Sequence, residues 1–263
     1  MTKISIPADH PRAKSLEFRE KIAEGIENKV VTLTGMVAHG RGEAFDYILG
    51  EHTIEPAIKA MNAAVASLLI ASHPVISVNG NTAALCPHEI VQLAKVVNAK
   101  IEINIFYQEE GRLNAIEKKM KEAGATELLG LDPSKRATIP ELSSNRRFVD
   151  PEGIYKADVV LVPLEDGDRT EALVKMGKKV IAIDLNPLSR TALMSQITIV
   201  DNITRAIPTM VSLANELKTK MNKEQLHQIL KDYNNKQIIK DVIREIINYL
   251  EARISLIGEA FHS

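Results

Sequence analysis

The stretch VIAIDLNPLSRTA, Val180 to Ala192, places four apolar residues directly before a cluster that contains Asp184, Asn186, Ser189 and Arg190. A carboxylate there can accept from sugar hydroxyls, an asparagine offers a base edge both a donor and an acceptor, and a guanidinium presents a planar fork to phosphate oxygens. Three further apolar runs end in short polar side chains. Asn79, Gly80 and Asn81 follow PVISV, Glu165, Asp166 and Asp168 follow VVLVPL, and Asp201 and Asn202 follow ITIV. Any one of these clusters reads as ordinary turn and helix-cap chemistry. Four together read as the rim of one pocket.

Upstream lies a second concentration of positive charge. In HGRGEAFDY, Gly40 and Gly42 flank Arg41, and a Gly-Arg-Gly turn would open both main-chain amides and guanidinium to a phosphate. The preceding HPRAKSLEFREKIAEGIEN reads as a helix with Leu16, Ile22, Ala23 and Ile26 apolar and Arg12, Lys14, Arg19 and Lys21 basic.

Missing motifs narrow the chemistry. There is no G-x-x-x-x-G-K-[ST] loop, and GNTAAL after the first core strand lacks the three-glycine dinucleotide fingerprint. CPHEIVQLA begins like a zinc-protease helix, but Gln92 stands where a second histidine is needed, which leaves His88 as a helix-start residue. Cys86 is the sole cysteine and G-x-S-x-G is absent, so neither disulfides, Cys-rich metal sites nor acyl-enzyme chemistry has support. With 33 basic and 34 acidic residues in 263 the net charge is −1, and no overall field recruits nucleic acid or anionic lipid. No apolar run approaches a membrane span, and MTKISIPADHPR has no signal-peptide core; the expected location is the cytoplasm.

The elements that must position these residues alternate along the chain. PVISVNG (74–80), KIEINIFY (100–107), a weaker ELLG, ADVVLVPL, KKVIAIDL and QITIVD read as strands. Between them lie a helical stretch ending near Asn98, the segment EEGRLNAIEKKMKEAG with Leu113, Ile116, Met120 and Ala123 on one face, and DRTEALVKMG ending at Gly177. Such alternation implies right-handed crossovers and an α/β fold: a doubly wound, mainly parallel, Rossmann-like sheet with ligands at the carboxyl ends of its strands. Residues 1–73 read as an N-terminal helical cap that feeds basic residues to the site, 74–218 as a nucleotide-binding core and 219–263 as C-terminal helices, whose apolar stripe over 236–257 is expected to be buried at least partly against a partner subunit. In the last of these, Ile239, Ile243, Ile246, Leu250 and Ile257 recur at heptad steps, broken by Arg253 and widened by Val242 and Ile247.

IPADHPRAKSLEFREKIAEGIE, GMVAHGRGEAFDYILGE, PVISVNGNTAAL and the long block 150–192 closely resemble the archaeal phosphopantothenate synthetases, also called 4-phosphopantoate--beta-alanine ligases. The resemblance covers most of residues 4 to about 218. It implies an ATP-dependent ligase that joins 4-phosphopantoate to β-alanine through an acyl-adenylate, releasing AMP and pyrophosphate on the route to coenzyme A, in a homodimer. It also implies Arg19 and Arg41 against ATP, with Asp184, Leu185, Asn186, Ser189, Arg190, Asp201 and Asn202 completing the nucleotide site. Arg19, Arg41 and Arg190, with Mg²⁺, are the cations expected to offset two anionic substrates. Asn79, Gly80 and Asn81, opening a helix, are expected to hold the phosphate of 4-phosphopantoate on main-chain amides. A non-catalytic nucleotide sensor of the same fold is the rival reading; it would bind ATP without releasing pyrophosphate.

Overall fold

A computed structural model describes residues 13–107, 109–164 and 166–260. Residues 4–12 of the N-terminal resemblance, Arg12 among them, and Glu165 lie outside the described residues. Three helices come first: α1 (Ala13–Glu27), α2 (Leu33–Leu49) and α3 (Glu55–Ile70). The alternating part then runs β1 (Pro74–Val78), α4 (Gly80–Leu85), α5 (Pro87–Val97), β2 (Lys100–Ile103), α6 (Arg112–Glu122), β3 (Ala137–Thr138), β4 (Phe148–Val149), β5 (Val159–Pro163), α7 (Gly167–Lys175), β6 (Lys179–Ile183), α8 (Arg190–Met194), β7 (Ile197–Ile199) and α9 (Ile203–Lys220). Helices α10 (Lys223–Asp232) and α11 (Asn235–Ala260) close the chain.

The main sheet is parallel throughout, in the order β2-β1-β5-β6-β7. Its β-branched strands are buried on both faces, which is why they read as continuous apolar runs rather than alternating ones. Period-two geometry sorts their side chains into two cores. Ile76, Val78, Leu161, Ile181 and Ile183 pack under α3, α5 and α9, while Val75, Val160, Val162, Val180 and Ala182 pack against α7 and the 139–157 connection. From β1 the chain steps outward to β2 and then returns to β5, so the crossovers leave β1 and β5 in opposite directions and a crevice opens between their carboxyl ends.

Three sequence expectations change. KIEINIFY is a strand only over Lys100–Ile103, and ELLG contributes a single parallel bridge, Leu129 to Glu102. HGRGEAFDY is no turn: Gly40, Arg41 and Gly42 lie inside α2, where amides are committed to the helix ladder, so only the Arg41 side chain is on offer to a ligand. The C-terminal stripe divides. Ile238, Ile239 and Val242 are buried on the protein's own core, whereas Ile247, Leu250, Ile254 and Ile257 are exposed.

The irregular 139–157 connection covers the second core, and its main-chain groups need partners that no ladder supplies. Buried side chains provide them. Glu102 accepts from the amides of Asp150 (3.1 Å) and Ile154 (2.6 Å), and Lys178 Nζ donates to the carbonyls of Tyr155 (2.7 Å) and Ala157 (2.9 Å). Asn104 Nδ2 donates to Phe148 O at 3.0 Å.

Candidate functional site

Above the strand ends lies a cavity of about 600 Å³, within the range of small-molecule sites. Its floor begins at the crevice. Asn79 caps α4 through Oδ1, which accepts from the amide (3.0 Å) and hydroxyl (3.1 Å) of Thr82, while Nδ2 donates to the carbonyls of Pro163 (2.9 Å) and Leu164 (3.1 Å) at the end of β5. The side chain is thereby fully committed to joining the two diverging strands. Gly80 sits so close to the chain before α2 that a Cβ would lie 2.2 Å from Val30 O and 2.7 Å from Arg112 Nη2. Asn81 Nδ2 donates to Gly35 O at 2.8 Å and so ties α4 to α2.

Helix α2 is the roof. Thr32 caps it by accepting from the Gly35 amide, and Gly35, His39, Arg41, Gly42 and Glu43 line the cavity. Near its far end, buried Asp46 accepts from Arg205 Nη2 (2.6 Å) and Asn202 Nδ2 (2.9 Å). Asp201 is turned to the same cluster: Oδ1 takes Arg205 Nε at 2.8 Å and Oδ2 takes the Thr53 hydroxyl at 2.7 Å. Burial raises the pKa of Asp201, with Arg205 opposing. Asp201 is therefore absent from the cavity lining, contrary to the sequence expectation, and fastens the roof to α9 instead. Asn202 does line the cavity, yet its Oδ1 caps α9 on Thr204.

The loop after β6 holds its shape through Asp184. Oδ1 accepts from the Asn186 amide (2.9 Å) and Oδ2 from the Ser189 hydroxyl (2.5 Å), while Ser189 caps α8 on Ala192. Burial raises the Asp184 pKa against those hydrogen bonds and against nearby Arg41. Leu185, Asn186, Ser189 and Arg190 all line the cavity. Arg190 is held by Asp168 and Glu171 of α7, each at 2.7 Å.

Arg19 does not line the cavity. Its guanidinium rests on the rim, donating to Tyr47 (2.9 Å) and pairing with Glu43 (3.4 Å). In its place the structure brings in two arginines that sequence reading passed over, Arg112 and Arg146. Both are buried. Arg112 Nη1 donates to Tyr107 O at 2.8 Å, and Arg146 Nη1 pairs with Asp166 Oδ2 at 2.9 Å. Burial presses the Arg146 pKa down to about 10, so the side chain stays charged at neutral pH. No sequence pattern marks them: Arg112 opens the helical segment RLNAIEKKMKE, and Arg146 stands beside Arg147 in a polar connection.

Thus four arginines, Arg41, Arg112, Arg146 and Arg190, line one cavity, with Arg112 on Tyr107 after β2, Arg146 between Phe106 after β2 and Asp166 after β5, and Arg190 against α7. This arrangement suits a ligand or ligand pair that carries several negative charges. Among the described residues no group of three or more His, Cys, Asp or Glu could hold a metal ion. Cys86 is buried, and burial pushes its thiol pKa up, which leaves it unreactive. No helix among the described residues is long and apolar enough to cross a membrane.

Comparison with known proteins agrees with this picture. The family model described as phosphopantothenate/pantothenate synthetase matches residues 56–249. The 4-phosphopantoate--beta-alanine ligase of Thermococcus kodakarensis is 57% identical over 244 residues, 92% of each chain. The protein of the same name from Methanosarcina mazei is 50% identical over 253 residues, 96% of this chain and 98% of its own, and that from Methanospirillum hungatei is 46% identical over 241 residues, 92% and 96%. With the relatives aligned over nearly their whole length, and the family model spanning the strands, α7 and α8 that build the cavity floor, the chain belongs to the phosphopantothenate/pantothenate synthetase family.

Proposed function

We propose that this protein condenses 4-phosphopantoate with β-alanine to form 4′-phosphopantothenate, cleaving ATP to AMP and pyrophosphate. The observation that carries the reading is the convergence of Arg41, Arg112, Arg146 and Arg190 on one cavity at the carboxyl ends of a parallel sheet. A carboxylate is a poor electrophile at neutral pH, so it first attacks the α-phosphate of ATP. The product is an acyl-adenylate and the leaving group is pyrophosphate. The β-alanine nitrogen then attacks the acyl carbon and AMP departs.

Two anionic substrates must meet for the first step, and fixed cations in a water-poor cavity lower the cost of that encounter. The nucleotide is assigned to the β6 and β7 side, against Arg41, Leu185, Asn186, Ser189 and Arg190. The phosphate of 4-phosphopantoate is assigned to the other side, against Arg112 and Arg146, beside Gly80 and Asn81. Adjacent strands lie about 4.8 Å apart, so β1 and β6, two strands distant, separate these subsites by about 10 Å. Arg19 reaches the nucleotide only by exchanging Glu43 for a phosphate oxygen. Asp184 acts by shaping the loop. Mg²⁺ arrives on the nucleotide's phosphates, as is usual where proteins offer no dedicated cage.

The protein is assigned to the cytoplasm and to a homodimer. The exposed stripe Ile247, Leu250, Ile254 and Ile257 on α11, with Leu33, Met36 and Val37 exposed on neighbouring α2, supports the dimer. Incubation with ATP, 4-phosphopantoate and β-alanine, with products identified by mass, tests the reaction. AMP and pyrophosphate in step with 4′-phosphopantothenate are expected; ADP with inorganic phosphate would overturn the adenylate.

A further inference from the structure

We infer that His39 is the base that takes the proton from the incoming β-alanine ammonium in the second half of the reaction. The inference rests on the adenylate reading above. His39 lies on the roof helix α2 among the residues that line the cavity. Its side chain is only 10% exposed, and Nε2, turned towards Glu43, is sealed off without a hydrogen-bond partner among the described residues. The nearest carboxylate oxygen, Glu43 Oε2, is 3.9 Å away, too far for a hydrogen bond. Nδ1 is not sealed in this way and no hydrogen bond among the described residues holds it, so it is the ring nitrogen left open to take a ligand's proton.

The other acceptors in the cavity are committed. Asp184 takes the Asn186 amide and the Ser189 hydroxyl, Asp166 takes Arg146 and the Arg169 amide, and Glu43 faces Ser15 and Arg19. The charged groups that face the ring are Glu43 on its own helix and Arg19 from α1. Burial lowers the pKa of His39, Glu43 opposes and Arg19 assists, and the ring is neutral at neutral pH. A primary alkyl amine has a pKa of about 10, so at neutral pH roughly one molecule in a thousand is nucleophilic without a base.

The step balances as follows. The ammonium gives one proton to a ring nitrogen of His39, and the freed lone pair attacks the acyl carbon. As the carbon–oxygen bond to AMP breaks, AMP carries off the electron pair. The new amide nitrogen sheds its remaining extra proton to water, and His39 returns its own to solvent once the product leaves.

Replacement of His39 by Gln, assayed in three reactions, tests the assignment. ATP–pyrophosphate exchange dependent on 4-phosphopantoate reports the first step, β-alanine consumption the second, and trapping of the adenylate by hydroxylamine a second step whose nucleophile is already neutral. The expected result is a loss of about 100-fold or more with β-alanine, partly restored as pH rises, while exchange and hydroxylamine trapping persist. Equal losses with both nucleophiles, or loss of exchange in the variant, would overturn the role of His39. Absence of exchange in the unaltered protein would instead overturn the adenylate. The unaltered protein supplies a check independent of folding: its rate with β-alanine should fall as pH drops through the His39 titration more steeply than its rate with hydroxylamine, and parallel profiles would overturn the inference.

Discussion

Gly167 and Arg190, the first residues of α7 and α8, lie in such close contact that a Cβ on Gly167 would sit 2.5 Å from the Cβ of Arg190. The position of Arg190 over the cavity therefore depends on a missing methyl group on the neighbouring helix. Gly167→Ala should push α8 away, raise the KM for ATP several-fold and lower stability by about 1–3 kcal/mol, the range of overpacking. Steady-state kinetics with a thermal melt checks this; an unchanged KM for ATP would separate Arg190 from the nucleotide.

Arg112 should govern recognition of the phosphate on pantoate. Loss of a charge-assisted hydrogen bond costs about 1.5–3 kcal/mol, so Arg112→Ala should raise the KM for 4-phosphopantoate about 10- to 100-fold and shrink the preference over unphosphorylated pantoate. Competition between the two acids for the variant is the measurement. The carbonyls of Val30 and Tyr107 also lose their donor, and a lower melting temperature should accompany the change.

Glu102 should give stability an uncommon pH dependence. Burial pushes its pKa up to about 7 from 4.5, with the Ile154 and Asp150 amides and Arg169 opposing. The folded state thus binds this proton more tightly than the unfolded chain. The stabilisation is fully present below pH about 4.5 and is lost as pH rises to about 7. Asp166, with its pKa lowered by Arg146 against its own burial, works in the opposite sense and weakens the fold as pH falls. Comparison of Glu102→Gln with the unaltered protein by urea unfolding between pH 4.5 and 8 isolates the contribution of this carboxyl. The unaltered protein should lose unfolding free energy relative to the variant as pH rises, and a constant difference would refute it.

The exposed half of α11 should hold the dimer. Leu250→Glu with Ile254→Glu should yield monomers in light scattering with the fold intact, since neither side chain belongs to the core. Truncation before Asn235 would be a poorer test. Asn235 Nδ2 donates to Ser195 O at 2.9 Å and Ile238 and Val242 are buried, so that deletion strips the core as well.

The centre of the sheet was legible because β1, β5 and β6, buried on both faces, leave nearly uninterrupted apolar runs, whereas the edge strand β2 alternates Lys-Ile-Glu-Ile; the cavity floor was legible because polar residues follow these runs. What lay hidden was set by distant contacts. Asp201 and Asp184 both follow an apolar run, but Arg205, one helical turn on, and the distant Thr53 turn Asp201 away from the cavity. Arg112 and Arg146 are separated from the strand ends by irregular chain, so only tertiary structure delivers them. The two glycines around Arg41 suggested a turn, and a roof helix held at Thr32 and Asp46 overrode that local preference.

Asn79 closes the crevice between β1 and β5 with two acceptor and two donor contacts from a single short side chain. An aspartate in its place would cap α4 but repel the carbonyls of Pro163 and Leu164; a serine would cap but fall short of β5; a glutamine would carry the amide past both. The site is therefore read by shape and hydrogen-bond polarity at once, and of the twenty side chains one satisfies it. Under random mutagenesis with selection for a folded protein, position 79 should be recovered as asparagine even where catalysis is supplied by another gene, which makes it a signature of the fold's switch point and not of the reaction performed above it.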